Sequence, residues 1–148
     1  MSQNKNILIT GTSSGFGKLT TLALLEKGYR VWASMRGVDG KNKSNAVELK
    51  AAAQDKPGSI ELLELDVTNE SSVENALEHI HKSDGKLDVV VNNAGVGSMA
   101  LLEDFTSEML KGLFEVNVVG LFRVTKAAFL LMKEKQDGLI INISSGLG

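Results

Sequence analysis

Residues Thr10–Gly17 read TGTSSGFG and join a short apolar run, NILIT (Asn6–Thr10), to a stretch whose apolar residues recur at helical spacing. Three glycines stand at the first, fifth and seventh places after the threonine: Gly11, Gly15 and Gly17. Gly11 permits a tight turn, and Gly15 and Gly17 let the backbone approach a phosphate closely and let a helix pack on a strand. Ser13, Ser14 and Phe16 fill the turn. The free N–H groups that open the helix then face outward as an anion site, suited to a pyrophosphate. A glycine-rich turn with no ligand is the alternative.

Further residues with chemical potential stand at the ends of other apolar runs. NNAG (Asn92–Gly95) contains Asn93, Ala94 and Gly95, and LDVT (Leu65–Thr68) contains Asp66 and Val67. Arg36 follows VWASM, Asn117 lies in VNVVG, and Ser144 and Ser145 follow INI. Each has a plainer reading. The asparagines at Asn92 and Asn93 could satisfy strand-end backbone groups, and Asp66 could cap a turn. Asn117 could be an ordinary polar helix residue and Arg36 a solvated loop charge. His79 and His81 are two apart on an expected helix and so do not share a face as a metal pair would; no metal site is expected. Met99, Leu101 and Leu102 either line an apolar pocket or pack in the core.

The elements that must position these residues alternate. The pattern predicts strands over 6–10, 29–34, 59–66, 86–93 and 138–144. It predicts helices over 15–28, 46–55, 70–83, 106–120 and 121–135, with a polar loop over 38–45. Gly28, Pro57-Gly58 and the cap residues Thr68 or Asn69 punctuate them. Nearly continuous apolar strands between helices specify a parallel sheet covered on both faces. Right-handed crossovers make it doubly wound. Such sheets bind ligands at the carboxyl ends of their strands, which is where all the motifs lie. Leu139–Ile143 is apolar on both faces and carries neither charge nor proline, so an open edge there would be unprotected.

Composition narrows the function classes. The 148 residues are 43% hydrophobic and 23% charged, a globular balance in one domain. A net charge of −2 gives no electrostatic footprint for nucleic acid or an anionic membrane. With no cysteine there is neither a disulfide framework nor a thiolate. The polar start MSQNKNILIT is unlike a signal peptide, and no apolar run reaches the roughly twenty residues of a membrane span. The expectation is a cytoplasmic protein.

The spacing T-G-x-x-x-G-x-G resembles the signature of the classical short-chain dehydrogenases/reductases. NNAG, LDVT and the asparagine of VNVVG resemble further family motifs in the same order. The branch containing hydroxysteroid and retinol dehydrogenases is the nearest in VWASMRG and FEVNVVG. The resemblance implies a Rossmann-type fold and hydride transfer between a nicotinamide cofactor and an alcohol or carbonyl substrate, and that branch points to a lipophilic one. It implies cofactor contacts from Gly11, Ser13, Ser14, Gly15, Phe16, Gly17, Arg36, Asp66, Val67, Asn93, Ala94 and Gly95. It implies catalytic roles for Asn117, in a proton relay, and for Ser145, on the substrate carbonyl; Ser144 is the competitor. NAD-preferring members carry an aspartate after the second strand; here Met35 takes that place and Arg36 follows. A carboxylate repels a ribose 2′-phosphate, whereas a guanidinium pairs with it, so NADP(H) is expected ahead of NAD. The family's Y-x-x-x-K motif follows the serine by about a dozen residues, and the only tyrosine here is Tyr29. The expectation is therefore the N-terminal part, residues 1–148, of a single dinucleotide-binding catalytic domain, truncated after the fifth strand and inactive alone. The alternative is a non-catalytic dinucleotide-binding or protein-interaction module. The family resemblance also implies a homo-oligomer.

Overall fold

The computed structural model describes residues 5–98 and 100–145. In chain order the elements are β1 (Asn6–Ile9), α1 (Gly15–Glu26), β2 (Arg30–Met35), α2 (Lys43–Ala53), β3 (Ser59–Glu64), α3 (Glu70–Asp84), β4 (Val89–Asn92), α4 (Ser107–Phe114), α5 (Leu121–Lys135) and β5 (Leu139–Asn142). The strands form one parallel sheet in the order β3-β2-β1-β4-β5. This is the doubly wound Rossmann-type arrangement. The order reverses between β1 and β4, which opens a crevice at their carboxyl ends.

Alternation along the strands sorts the core into two layers. Leu8, Trp32, Leu63 and Val90 face α3 and α5, while Ile7, Ile9, Val31, Ala33, Met35 and Val91 face α1 and α2. In α3 the buried residues Val73, Ala76, Leu77 and Ile80 recur at the spacing of one helical face. Asn69 caps this helix by accepting from Ser72 N–H at 2.9 Å, and Gly85, at φ +62°, ends it. Leu8 is completely buried at the centre of the first layer. Its truncation to alanine removes packing worth about 2–5 kcal/mol.

The helices depart most from expectation in two places. Helix α2 begins at Lys43 rather than Ala46, because the turn before it closes early: Asn42 N–H and Gly40 N–H both donate to Gly37 O. The two helical segments over 106–135 form a single rod interrupted by a π turn at Glu115–Gly120. At Gly120 the rod meets Val67 so closely that a Cβ would stand 2.8 Å from Val67 Cγ2. Such π turns are rare and occur mostly as single-turn interruptions of α-helices.

The sheet ends differently on its two sides. Strand β5 is an edge of the described sheet, with Leu139 and Ile141 half exposed, and Ile143 just beyond it is half exposed too. Phe114, Phe122 and Phe129 on α4 and α5 are also exposed.

Candidate functional site

A cleft of about 560 Å³ lies over the carboxyl ends of β1, β2, β3 and β4. Its floor is the glycine turn. Gly11 has φ +70°, and a Cβ there would stand 2.8 Å from the Ala94 Cα, so only glycine allows the β1 turn to rest against the β4 turn. Gly15, at φ +54°, opens onto free space. Gly17 lies behind the cleft wall rather than on it. A Cβ there would collide with Gly11 O and Asn93 Nδ2, so its role is close packing of α1 on the sheet.

Hydrogen bonds tie the glycine turn to both neighbouring strands. Asn93 Nδ2 donates to Thr10 O at 2.9 Å and Gly11 O at 3.0 Å. Thr10 Oγ1 in return accepts from Asn93 N–H and Ala94 N–H. On the other side Thr12 N–H and Oγ1–H both donate to Ser34 O, and Ser34 Oγ donates to Ile9 O. These satisfied groups leave the turn little freedom. At the start of α1 the Ser14 side chain makes no capping hydrogen bond and the first turn holds no acid. The helix therefore presents its first N–H groups to the cleft.

The far side of the cleft is charged. Asp66 Oδ1 accepts from Thr68 N–H at 2.9 Å and from Thr68 Oγ1–H at 2.7 Å. Burial pushes the Asp66 carboxyl up, but the two Thr68 hydrogen bonds and the fields of Arg36 and Lys41 outweigh it. The group is held below the usual aspartate value. Met35 and Arg36 line the cleft at the end of β2, with no carboxylate between them and the glycine turn.

The structure thus brings Gly11, Ser13, Ser14, Gly15, Phe16, Arg36, Asp66, Val67, Asn93, Ala94 and Gly95 to one cleft. Asn117 and Ser145 do not line it. The Asn117 side chain is spent on Val96, accepting from its N–H and donating to its carbonyl, each at 2.9 Å. It locks the chain just past NNAG. Ser145 is exposed beyond the end of β5. Leu101 and Leu102 are exposed rather than packed in the core, and Met99 lies outside the described residues. Thr10, Thr12, Ser34, Lys41 and Thr68 were not legible as site residues. Small hydroxyls and a loop lysine carry no spacing signal, although a hydroxyl two residues after Asp66 is the pattern of an Asx turn.

These residues fit a dinucleotide: a cradle that a Cβ would fill, uncapped helix N–H groups at the pyrophosphate position, and cations at the ribose end. Comparison with known proteins agrees. The sequence profile of the short chain dehydrogenases matches residues 5–148. The chain is 38% identical over 143 residues to 3-ketodihydrosphingosine reductase of Bacteroides thetaiotaomicron, covering 97% of this chain and 48% of that protein. It is 38% identical over 148 residues to 17-beta-hydroxysteroid dehydrogenase type 6 of Rattus norvegicus, covering 98% and 44%. Among solved structures, NADPH-bound ElxO superposes with a TM-score of 0.86 at 33% identity, over 98% of this chain and 58% of that one. The chain spans about half the length of the curated relatives it matches.

Proposed function

The chain belongs to the short-chain dehydrogenase family, and on that premise we propose that it contributes the NADP(H)-binding part of an oxidoreductase that interconverts an alcohol and a carbonyl. The observation that carries this reading is the cleft itself. A glycine cradle locked by Thr10 and Asn93 faces a ribose end where Arg36, and no aspartate, follows Met35. NADPH in a solved relative supports the same cofactor.

When bound, the nicotinamide carries the hydride. The chain's residues do the rest. The α1 N–H groups and Gly15 receive the pyrophosphate. Asp66 and Val67 border the adenine. Asn117 holds Val96 and so fixes the wall on the substrate side. Ser145 lies beyond β5 as the donor to the substrate oxygen. A relative named for a ketosphingoid and another named for a steroid are equally identical to the chain, so the hydroxysteroid and retinol branch is not singled out. Both names support a lipophilic carbonyl, and the exposed Leu101 and Leu102 would meet it. The exposed phenylalanines of α4 and α5 support a homo-oligomer. Among the described residues no helix is long and apolar enough to cross a membrane, and a cytoplasmic site remains our proposal.

Within residues 1–148 the only tyrosine, Tyr29, precedes β2 at the opposite end of the sheet from the cleft, so these residues alone hold no tyrosine that could protonate a substrate there. The test is NADPH and NADH titration together with NADPH oxidation over a carbonyl panel. Binding that prefers NADPH and loses that preference in Arg36→Ala supports the cofactor reading. Equal binding of the two cofactors overturns it. Robust turnover by residues 1–148 that survives Ser145→Ala overturns the role of Ser145.

A further inference from the structure

A second cation stands on the cleft wall beside Arg36. The polar turn after β2 places it there. Gly37, at φ +66°, reverses the chain, and Asn42 N–H returns to Gly37 O at 2.9 Å. Asn42 Nδ2 donates to Arg36 O at 2.7 Å, binding the two ends of the turn together. Glu64, the last residue of β3, accepts from Gly37 N–H and Val38 N–H with one carboxylate oxygen each, both at 2.8 Å. A solvated loop has no reason for this much order. Its consequence is that Lys41 lies over Gly37 with its stem against the turn and joins Arg36 on the cleft wall.

We infer that Lys41 is a specificity-determining residue that, with Arg36, recognises the ribose 2′-phosphate and sets the choice of NADP(H) over NAD(H). The inference rests on the dinucleotide reading above. A phosphate monoester carries about −1.5 to −2 charges near neutral pH, so one guanidinium leaves it incompletely neutralised. Asp66, on the same wall, adds a negative charge that works against the phosphate. Two cations and one carboxylate leave a net positive wall, whereas Arg36 alone against Asp66 would leave none. The two cations also differ in kind. Arg36 offers a planar fork, and Lys41 a point charge on a flexible stem that can follow the phosphate. Arg36, Lys41 and Asp66 all line the same cleft.

The test is calorimetric titration of NADPH, NADH, adenosine 2′,5′-bisphosphate and 5′-AMP against residues 1–148. The two adenosine nucleotides read the ribose end without the nicotinamide. The variants are Lys41→Ala, Arg36→Ala and, as a surface-charge control, Lys43→Ala. Lys41 is exposed, so its removal leaves the fold intact. Lys41→Ala is expected to weaken NADPH and the bisphosphate about five- to tenfold, the size of one charge-assisted contact in an open site. NADH and 5′-AMP should change by less than about twofold, and Lys43→Ala should leave the ratio unchanged. If Lys41→Ala weakens all four ligands equally, or only as much as Lys43→Ala does, the inference is overturned while the NADP reading stands. A wild type that binds NADPH no better than NADH, or binds neither, overturns the reading and the inference together.

Discussion

The half of the molecule built on β1, β2 and β3 differs sharply from the half built on β4 and β5. In the first half, β1 is wholly buried and β2 nearly so. The outer strand β3 carries Glu61 and Glu64 along its edge, and Glu64 is put to use holding the turn at Gly37. In the second half β5 is largely exposed, Leu139, Ile140 and Ile141 are apolar, and no charge blunts it. Asn92 marks the seam. Its Nδ2 donates to Thr125 Oγ1 and Asn142 Oδ1, but its own Oδ1 is buried without a partner. Edges that face water are blunted by charge. The acidic edge is finished, and the apolar edge has the composition of an interior strand. The glycine turn and Arg36 therefore lie on the more buried of the two halves.

The largest expected effect separates binding from chemistry. The isolated chain should bind NADPH yet show no measurable turnover, because no tyrosine reaches the cleft; general-acid assistance is worth about 10²–10⁴-fold. Stopped-flow and steady-state NADPH oxidation would measure it, and turnover at an ordinary rate would erase the contrast between the halves. Next in size is Gly11→Val. It forces a side chain into Ala94 at a positive φ and should abolish binding in calorimetry, provided circular dichroism shows that the fold persists.

Asn93→Ala should cost about 1–3 kcal/mol in urea denaturation, since Thr10 O and Gly11 O both lose their side-chain donor. Ile141→Lys should change stability by less than about 0.5 kcal/mol at its exposed site, but should reduce self-association seen by light scattering. An equal loss of stability in both variants would mean that the two halves are equally tight.

The smallest effect is a pH dependence. The Asp66 carboxyl is held below its usual value in the fold, so its contribution is present above the unfolded aspartate pKa of about 3.9 and is lost as pH falls through the lower folded value. The stability difference between wild type and Asp66→Asn should therefore be constant near neutrality and shrink in acid. A difference that persists unchanged at pH 2 would remove Asp66 from the ionised cluster.

Much of this was legible in the residues. Strand polarity and the crevice followed from apolar runs alternating with capped helices, and the glycine spacing located the cradle because Gly11 and Gly17 answer close approaches and Gly15 a positive φ. That an edge at β5 would be unprotected was legible in Leu139–Ile143, whereas its place at the edge of the sheet was not written in those residues. The π turn was not legible; it coincides with a close approach between Gly120 and Val67, which are far apart in sequence. Lys41 was hidden in a polar stretch for a similar reason: Glu64, 23 positions further along the chain, holds the turn that places it. Asn117 was found by resemblance, yet its hydrogen bonds to Val96 could be read only from coordinates.

Hydrogen exchange with and without NADPH tests the central claim most directly, because it reads both halves at once. The account predicts slowed exchange over 11–17, 36–42, 66–68 and 93–96 on adding NADPH, with a smaller effect from NADH at 36–42. Residues 139–145 should exchange rapidly in both states. Protection confined to 139–145, or none at the glycine turn, would contradict it.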